Sequence, residues 1–320
     1  MRALEIQELI GPDGFALVER PDPEPADQVL IDVQAAGVSF PDLLISKGMY
    51  QLKADLPYVA GQEVAGTVRH APAGSRFAVG DRVWAGFGTG GGFASIAAAD
   101  ERDVRPLPDG MSFVDGGGLS VNFMTAVFAL RVRDHLNEGE TILVLGAAGG
   151  LGTACVAVAK RYGARVIANV SEPGKVEMAK RAGADEVVVG EDWRDEVLEL
   201  TGGRGVDVVA DIVGGDHTLQ AVRTCAPRGR VIVLGFTTGS IAKIGVNRLL
   251  LRNVTLVGAG LGALDDADPT TNPTVEALLT ELLHDGLRPI IGATFPLEQG
   301  ADALRAMENR TAQGKIVLTL

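Results

Sequence analysis

Between Thr141 and Gly152 the chain reads TILVLGAAGGLG, a short run of β-branched and leucine residues that breaks into alanine and glycine and continues as LGTACVAVAKRYGA. A strand, a glycine turn and a helix in that order suit the cradling of a phosphate. Backbone N–H groups at a helix N-terminus face an anion, and glycine lets the backbone come close. Gly149 and Gly152 supply two glycines of the G-x-G-x-x-G dinucleotide pattern, one for approach to a pyrophosphate and one for close packing of helix on strand. Ala147 stands where the first glycine would be. A second strand, RVIANV at 165–170, arrives at the distance of a βαβ unit.

The ribose end of such a site is read by the residue closing the second strand. An NAD-preferring unit places Asp or Glu there, roughly 20 residues beyond the glycines, where a carboxylate accepts from the 2′-hydroxyl and repels a 2′-phosphate. Val170 occupies that place, followed by Ser171, a hydroxyl donor, and by Lys175, which is either a charge for a 2′-phosphate or a surface lysine on the first turn of a helix. The missing acid weighs more than the present base, so the expected cofactor is NADP(H). Glu172 argues for NAD unless it points to solvent.

These residues need elements to position them, and 320 residues are enough for two ordinary domains. Cys155 and Cys225 are the only cysteines, so no disulfide framework is implied and a reducing compartment is expected. A net charge of −12 argues against nucleic acid or an anionic membrane as main partner. The N-terminal stretch alternates apolar and charged residues without the apolar core of a signal peptide, and no apolar run approaches the ~20 residues of a membrane span. A cytoplasmic protein is the expectation.

Residues 1–118 read as short strands split by glycine, proline and aspartate, clearest at 29–38, 63–70 and 81–85, which suggests an antiparallel, barrel-like β domain. The segment 120–132 has helical spacing, and strands then alternate with helices at 141–145, 165–170, 186–189, 206–212, 230–235 and 254–258. That alternation predicts a Rossmann-type, doubly wound parallel sheet, with its ligand crevice at the carboxyl ends of the first and fourth strands. The stretch DDADPTTNP after 265 reads as a loop, followed by an amphipathic helix at 274–286, short strands and one more helix. The expected organisation is α/β, with a nucleotide-binding domain at 120–264 inserted in a substrate domain formed by 1–119 and 265–320.

This order of elements, together with AAGVSFPDLLISKGMY at 35–50, LPYVAGQEVAG at 56–66 and AAGGLG at 147–152, resembles the medium-chain dehydrogenase/reductase superfamily over essentially the whole chain. Within it the chain is similar to the zinc-independent quinone oxidoreductase, or zeta-crystallin-like, branch. The resemblance implies a GroES-like first domain. Zinc-bearing relatives supply a cysteine near Val38 and Ser39, a histidine in a Gly-His-Glu motif, and often a lobe of four cysteines. Here the motif is Gly61-Gln62-Glu63, the lobe is replaced by GFGTGGGFAS at 86–95, and the first domain holds one histidine, His70, and no cysteine. No Cys/His zinc site can be assembled from those residues. The implied chemistry is hydride transfer from NADPH to a quinone or similar conjugated carbonyl, which needs proximity and modest hydrogen bonding rather than a Lewis acid. A zinc-free 2-alkenal or enone reductase and a non-catalytic, crystallin-like NADPH-binding protein remain open alternatives.

The same resemblance implies site residues. Ser39 and Tyr50 orient the acceptor carbonyl or relay a proton; alternatively Ser39 caps a helix beginning near Pro41 and Tyr50 packs at a loop rim. Thr125 lies near the nicotinamide or bonds its own helix backbone. Ala148, Gly149, Gly150, Leu151 and Gly152 hold the diphosphate, Ser171 and Lys175 face the 2′-phosphate, and Gly214 and Phe236 border the nicotinamide. Lys315 returns to the cofactor or is a solvated strand-edge lysine. Gly190 and Leu44 stand where some relatives have tyrosines. Glu63 is expected to be a buried structural partner, for an arginine, rather than an acid catalyst. The apolar strand at 253–259 is an open sheet edge, from which a homodimer is expected.

Overall fold

The computed structural model describes residues 1–320. They divide into two compact units, Met1–Val121 with Ile291–Leu320, and Asn122–Ile290. The first unit opens with β1 (Arg2–Ile6), which pairs antiparallel with β2 (Phe15–Glu19). The long strand β3 (Val29–Val38) runs into Ser39, where helix α1 (Phe40–Ser46) begins with proline in its first turn, a position that requires no N–H. β4 (Tyr58–Val59) returns to β1, and β5 (Glu63–His70), β6 (Arg82–Gly86), β7 (Ile96–Ala99) and β8 (Val104–Pro106) build outward from β3. Short antiparallel strands with turn residues between them are what the alternating sequence requires. The interior is aliphatic, with Ile6, Val29, Ile31, Val64 and Val83 fully buried around Phe93. Helix α2 (Phe113–Gly116) follows, its first turn held by the Ser112 hydroxyl, which accepts from the Asp115 N–H at 3.0 Å.

Residues 120–133 are helical as expected, yet mostly not α-helical: Ser120–Met124 and Phe128–Arg133 wind as π-helix around one α turn, α3 (Thr125–Val127). Such widened turns are rare. The second unit then alternates β9 (Thr141–Leu145), α4 (Gly150–Arg161), β10 (Arg165–Val170), α5 (Val176–Ala182), β11 (Glu186–Val189), α6 (Arg194–Leu200), β12 (Val206–Asp211), α7 (Asp216–Thr224) and β13 (Cys225–Val233). Helix α8 (Asn247–Arg252) and β14 (Thr255–Gly258) complete a six-stranded parallel sheet of order β11-β10-β9-β12-β13-β14. This is a doubly wound sheet that reverses direction between β9 and β12, the place where such sheets bind ligands. Leu143, Leu145, Ile167, Val209 and Val231 carry its core, capped by the fully buried Trp193.

The second boundary lies later than the expected 265. A helix, α9 (Leu261–Ala267), occupies part of the stretch read as a loop, and α10 (Thr271–His284) packs against α3 through buried Val275, Leu279, Leu282 and Leu283. The hydrophobic stripe of α10 therefore ties residues up to 290 to the nucleotide-binding unit. Only then does the chain rejoin the first unit, through β15 (Ile291–Pro296), α11 (Gly300–Glu308) and β16 (Lys315–Thr319). β16 lies between β15 and β3, parallel to the one and antiparallel to the other, with Ile316 opposite Val38. That register sets Lys315 beside Ser39.

Candidate functional site

The glycine turn is built by contacts that only glycine permits. Gly146 has φ +71°, a left-handed conformation that favours glycine. A Cβ on Gly152 would lie 2.2 Å from the Gly146 carbonyl oxygen and 2.7 Å from Ala147 Cα, so α4 reaches strand β9 this closely only because the side chain is absent. Gly149 differs. Its Cβ would meet nothing closer than 3.6 Å, so no packing against the protein demands glycine there. Gly149, Gly150 and Leu151 are half-buried at the N-terminus of α4, while Ala147 and Ala148 are buried behind them. Lys160 and Arg161 in the last turn complement the opposite end of the helix dipole.

The ribose end is tied to this turn. Ala147 N–H donates to the Asn169 carbonyl at 3.0 Å, the Asn169 amide donates to the Gly190 carbonyl at 3.0 Å, and Gly190 N–H donates to the Val170 carbonyl at 2.8 Å. Ser171 and Lys175 come together: the lysine ammonium donates to the Ser171 hydroxyl at 3.1 Å and pairs with Glu172 at 3.0 Å. Lys175 is buried whereas Ser171 and Glu172 are exposed, so a buried charge sits behind an exposed hydroxyl at the strand end. Glu172 does not simply face solvent. It occupies the lysine that the sequence assigns to a phosphate. Around them, a Cβ on Gly174 or Gly190 would meet nothing within 4 Å. Donor, charge, glycine approach and helix N-terminus together fit NADP(H).

A second glycine turn meets the first, since a Cβ on Gly146 would lie 3.2 Å from Val213. Its organiser is Asp211, which sequence reasoning missed. Fully buried at the end of β12, this carboxylate accepts from Val213 N–H at 3.0 Å, Gly214 N–H at 2.9 Å and the Thr218 hydroxyl at 2.6 Å. Gly214, φ +76°, packs against Phe236, whose ring is 40 % exposed beside it. His217 follows on α7, where its Nδ1 accepts from the buried Trp193 indole at 3.1 Å, a structural bond. Thr125 is half-buried on α3, which packs against α4.

In the first unit the nominated residues take different parts. Ser39 is buried, and its hydroxyl donates to Glu63 Oε1 at 3.1 Å while accepting from the Lys315 ammonium at 2.8 Å. Its one proton is committed, so orienting an acceptor oxygen is not open to it in this arrangement. Lys315, 2 % exposed, is not a solvated edge lysine. Its donors go to the Val38 carbonyl at 3.0 Å, to Ser39 and to Glu63. Glu63 is a buried structural partner as expected, but for lysine rather than arginine, and its second oxygen accepts from Val121 N–H at 2.9 Å. Gly37 makes room, since a Cβ there would lie 2.5 Å from Glu63 Oε1.

Beside this cluster Asp42 is wholly buried in the first turn of α1, accepting from Ser39 N–H at 2.8 Å and Gly61 N–H at 3.1 Å. Burial pushes its carboxyl up to about 7, against the stabilising pull of those two N–H groups and of Lys315. The half-buried Tyr50 makes no hydrogen bond within the protein; burial, with Asp42 nearby, raises its phenol above the ordinary value, so it stays protonated and able to donate at neutral pH. No group of three or more His, Cys, Asp or Glu side chains is arranged to hold a metal ion. No helix is long and apolar enough to cross a membrane.

Comparison with known proteins agrees with this geometry. Residues 25–109 match the family model of the alcohol dehydrogenase GroES-like domain, and residues 150–281 match that of zinc-binding dehydrogenases. The chain is 34 % identical over 311 residues to quinone oxidoreductase-like protein 2 of Bos taurus, covering 95 % of this chain and 89 % of that one. It is 30 % identical over 328 residues to the quinone oxidoreductase of Homo sapiens, covering 100 % and 98 %. Among solved structures, a probable oxidoreductase from Mycobacterium abscessus superposes with TM-score 0.90 at 41 % identity, covering 100 % of this chain and 99 % of that one. The quinone oxidoreductase of Escherichia coli in complex with NADPH superposes with TM-score 0.90 at 26 % identity over 100 % of both chains. With a GroES-like domain, a doubly wound nucleotide-binding sheet and relatives matched along its full length, the chain belongs to the quinone oxidoreductase family of medium-chain dehydrogenases/reductases.

Proposed function

We propose that the protein is an NADPH-dependent quinone oxidoreductase acting on a quinone or a similar conjugated carbonyl. The observation that carries the cofactor assignment is the buried Lys175 against Ser171 at the end of a second strand that closes on valine. In this reading Ala148 to Gly152 receive the diphosphate, Ser171 and Lys175 the 2′-phosphate, and Thr125, Gly214 and Phe236 border the nicotinamide. Bound NADPH supplies a hydride, which an electron-poor acceptor takes up when held close in a dry site. Tyr50 keeps its proton at neutral pH and offers it to the acceptor. The Lys315–Glu63–Ser39 network fixes the wall of the first unit rather than touching either reactant.

A homodimer is part of the same reading. Its support is the outer strand β14, exposed at Thr255, Leu256 and Gly258, beside Val246, Leu250 and Leu251, each more than 70 % exposed. An open apolar edge of this kind is a pairing surface.

The test is anaerobic NADPH oxidation with 1,4-benzoquinone, 9,10-phenanthrenequinone and unsaturated aldehydes. Quinone turnover is expected. Enal turnover without quinone turnover would replace the acceptor class, and tight NADPH binding without consumption of any acceptor would remove the enzymatic reading.

A further inference from the structure

Gln62 is 8 % exposed, and its side-chain amide makes no hydrogen bond within the protein; the amide is not among the fully buried polar groups left without a partner, so the exposure the residue keeps includes it. An amide that reaches the surface from an otherwise buried side chain is open to a ligand. The backbone carrying it is pinned on both sides and at the residue itself. Gly61 N–H is held by Asp42 at 3.1 Å, the Gln62 carbonyl accepts from Phe87 N–H at 2.7 Å, and both oxygens of Glu63 are bonded, to Lys315 and Ser39 and to Val121 N–H. Gly61 permits the arrangement with φ +91°, its missing Cβ leaving space for Phe93. A neutral amide with two unspent protons, accessible on a fixed backbone, suits one partner chemistry: an uncharged oxygen that gains negative charge. A phosphate or carboxylate would call instead for a cation, and Lys315, which pairs with the adjoining Glu63, is already spent.

We infer that the Gln62 amide, rather than the Ser39 hydroxyl, binds the carbonyl oxygen of the acceptor, donating a hydrogen bond that strengthens as the oxygen becomes more negative. The inference rests on the carbonyl-reducing reading above. The amide keeps its protons throughout and acts by its dipole. Ser39 is excluded as donor because its proton already lies on Glu63.

Two measurements test this together. In the first, Gln62→Met, nearly isosteric and without donors, is compared with the parent protein. The expected result is a fall of about 10- to 100-fold in kcat/KM for 9,10-phenanthrenequinone with the Kd for NADPH unchanged. In the second, the Gln62 side-chain amide resonances, assigned by their loss in that variant, are followed by NMR while 9,10-phenanthrenequinone is added to the NADP+-bound protein. A shift is expected. Resonances that stay in place, whether the quinone binds elsewhere or not at all, overturn the inference, as does an unchanged kcat/KM in Gln62→Met. Shifted resonances in a protein that oxidises no NADPH would leave the inference standing and remove the proposed activity instead.

Discussion

At the scale of residues, the proposed preference for NADPH turns on two charges, Lys175 and Glu172. Lys175 is shared between Ser171 and Glu172, so a 2′-phosphate must displace an exposed glutamate to reach it. A charge-assisted hydrogen bond is worth ~1.5–3 kcal/mol, or roughly 10- to 100-fold in affinity. Lys175→Ala is therefore expected to raise the KM for NADPH by about 10-fold or more and leave that for NADH nearly unchanged. Glu172→Gln should lower the KM for NADPH, because the competing charge is gone; steady-state kinetics with both cofactors checks both, and equal effects on NADH would count against the assignment. In the first unit, Lys315→Met strands the Glu63 carboxylate inside the protein and is expected to lower stability by ~3–5 kcal/mol in urea unfolding. Adding Glu63→Gln should recover part of that loss. The absent acid at Val170 was legible in the sequence because a motif sets its distance from the glycines. The Lys315–Glu63 pair was not, since 252 residues separate the partners and only the register of β16 on β3 joins them.

Elements explain why these residues hold still. Asp42 ties the first turn of α1 to Gly61, and its carboxyl is pushed up to about 7 by burial, whereas in the unfolded chain it ionises near the ordinary aspartate value. Between roughly pH 4 and 7 the folded form keeps a proton that the unfolded form has lost, so stability falls as pH rises through that window, by up to ~4 kcal/mol from this group. Urea midpoints measured across that range should show a declining component that is missing in Asp42→Asn; parallel profiles would refute the assignment. In the second unit, Gly152→Ala places a methyl group against the Gly146 carbonyl and should weaken NADPH binding and thermal stability together. Periodicity gave the strands of the sheet to within a residue or two at β9, β10 and β11, because buried parallel strands are continuous apolar runs. The π-helical winding of 120–133 has the same apolar spacing as an α-helix and could not be read from it. Nor could α9, whose DDAD end resembles a loop in composition.

For the molecule as a whole, the order of elements was legible and the second boundary was not. The DDADPTTNP stretch looks like a linker, but the buried stripe of α10 keeps the chain with the nucleotide-binding unit as far as Ile290. The proposed homodimer belongs to this scale, with the open edge at β14 as its basis: sedimentation should give a dimer, and Leu256→Lys, which puts a charge on that edge, should shift it towards monomer. A monomeric parent protein would refute the edge as an interface. The proposed hydride delivery from NADPH to a quinone without a metal is tested by anaerobic oxidation of NADPH and NADH by 9,10-phenanthrenequinone, with and without a metal chelator. Turnover that the chelator leaves unchanged is expected, with a kcat/KM for NADPH at least about tenfold above that for NADH. Loss of quinone turnover on chelation, or equal use of the two cofactors, would contradict it.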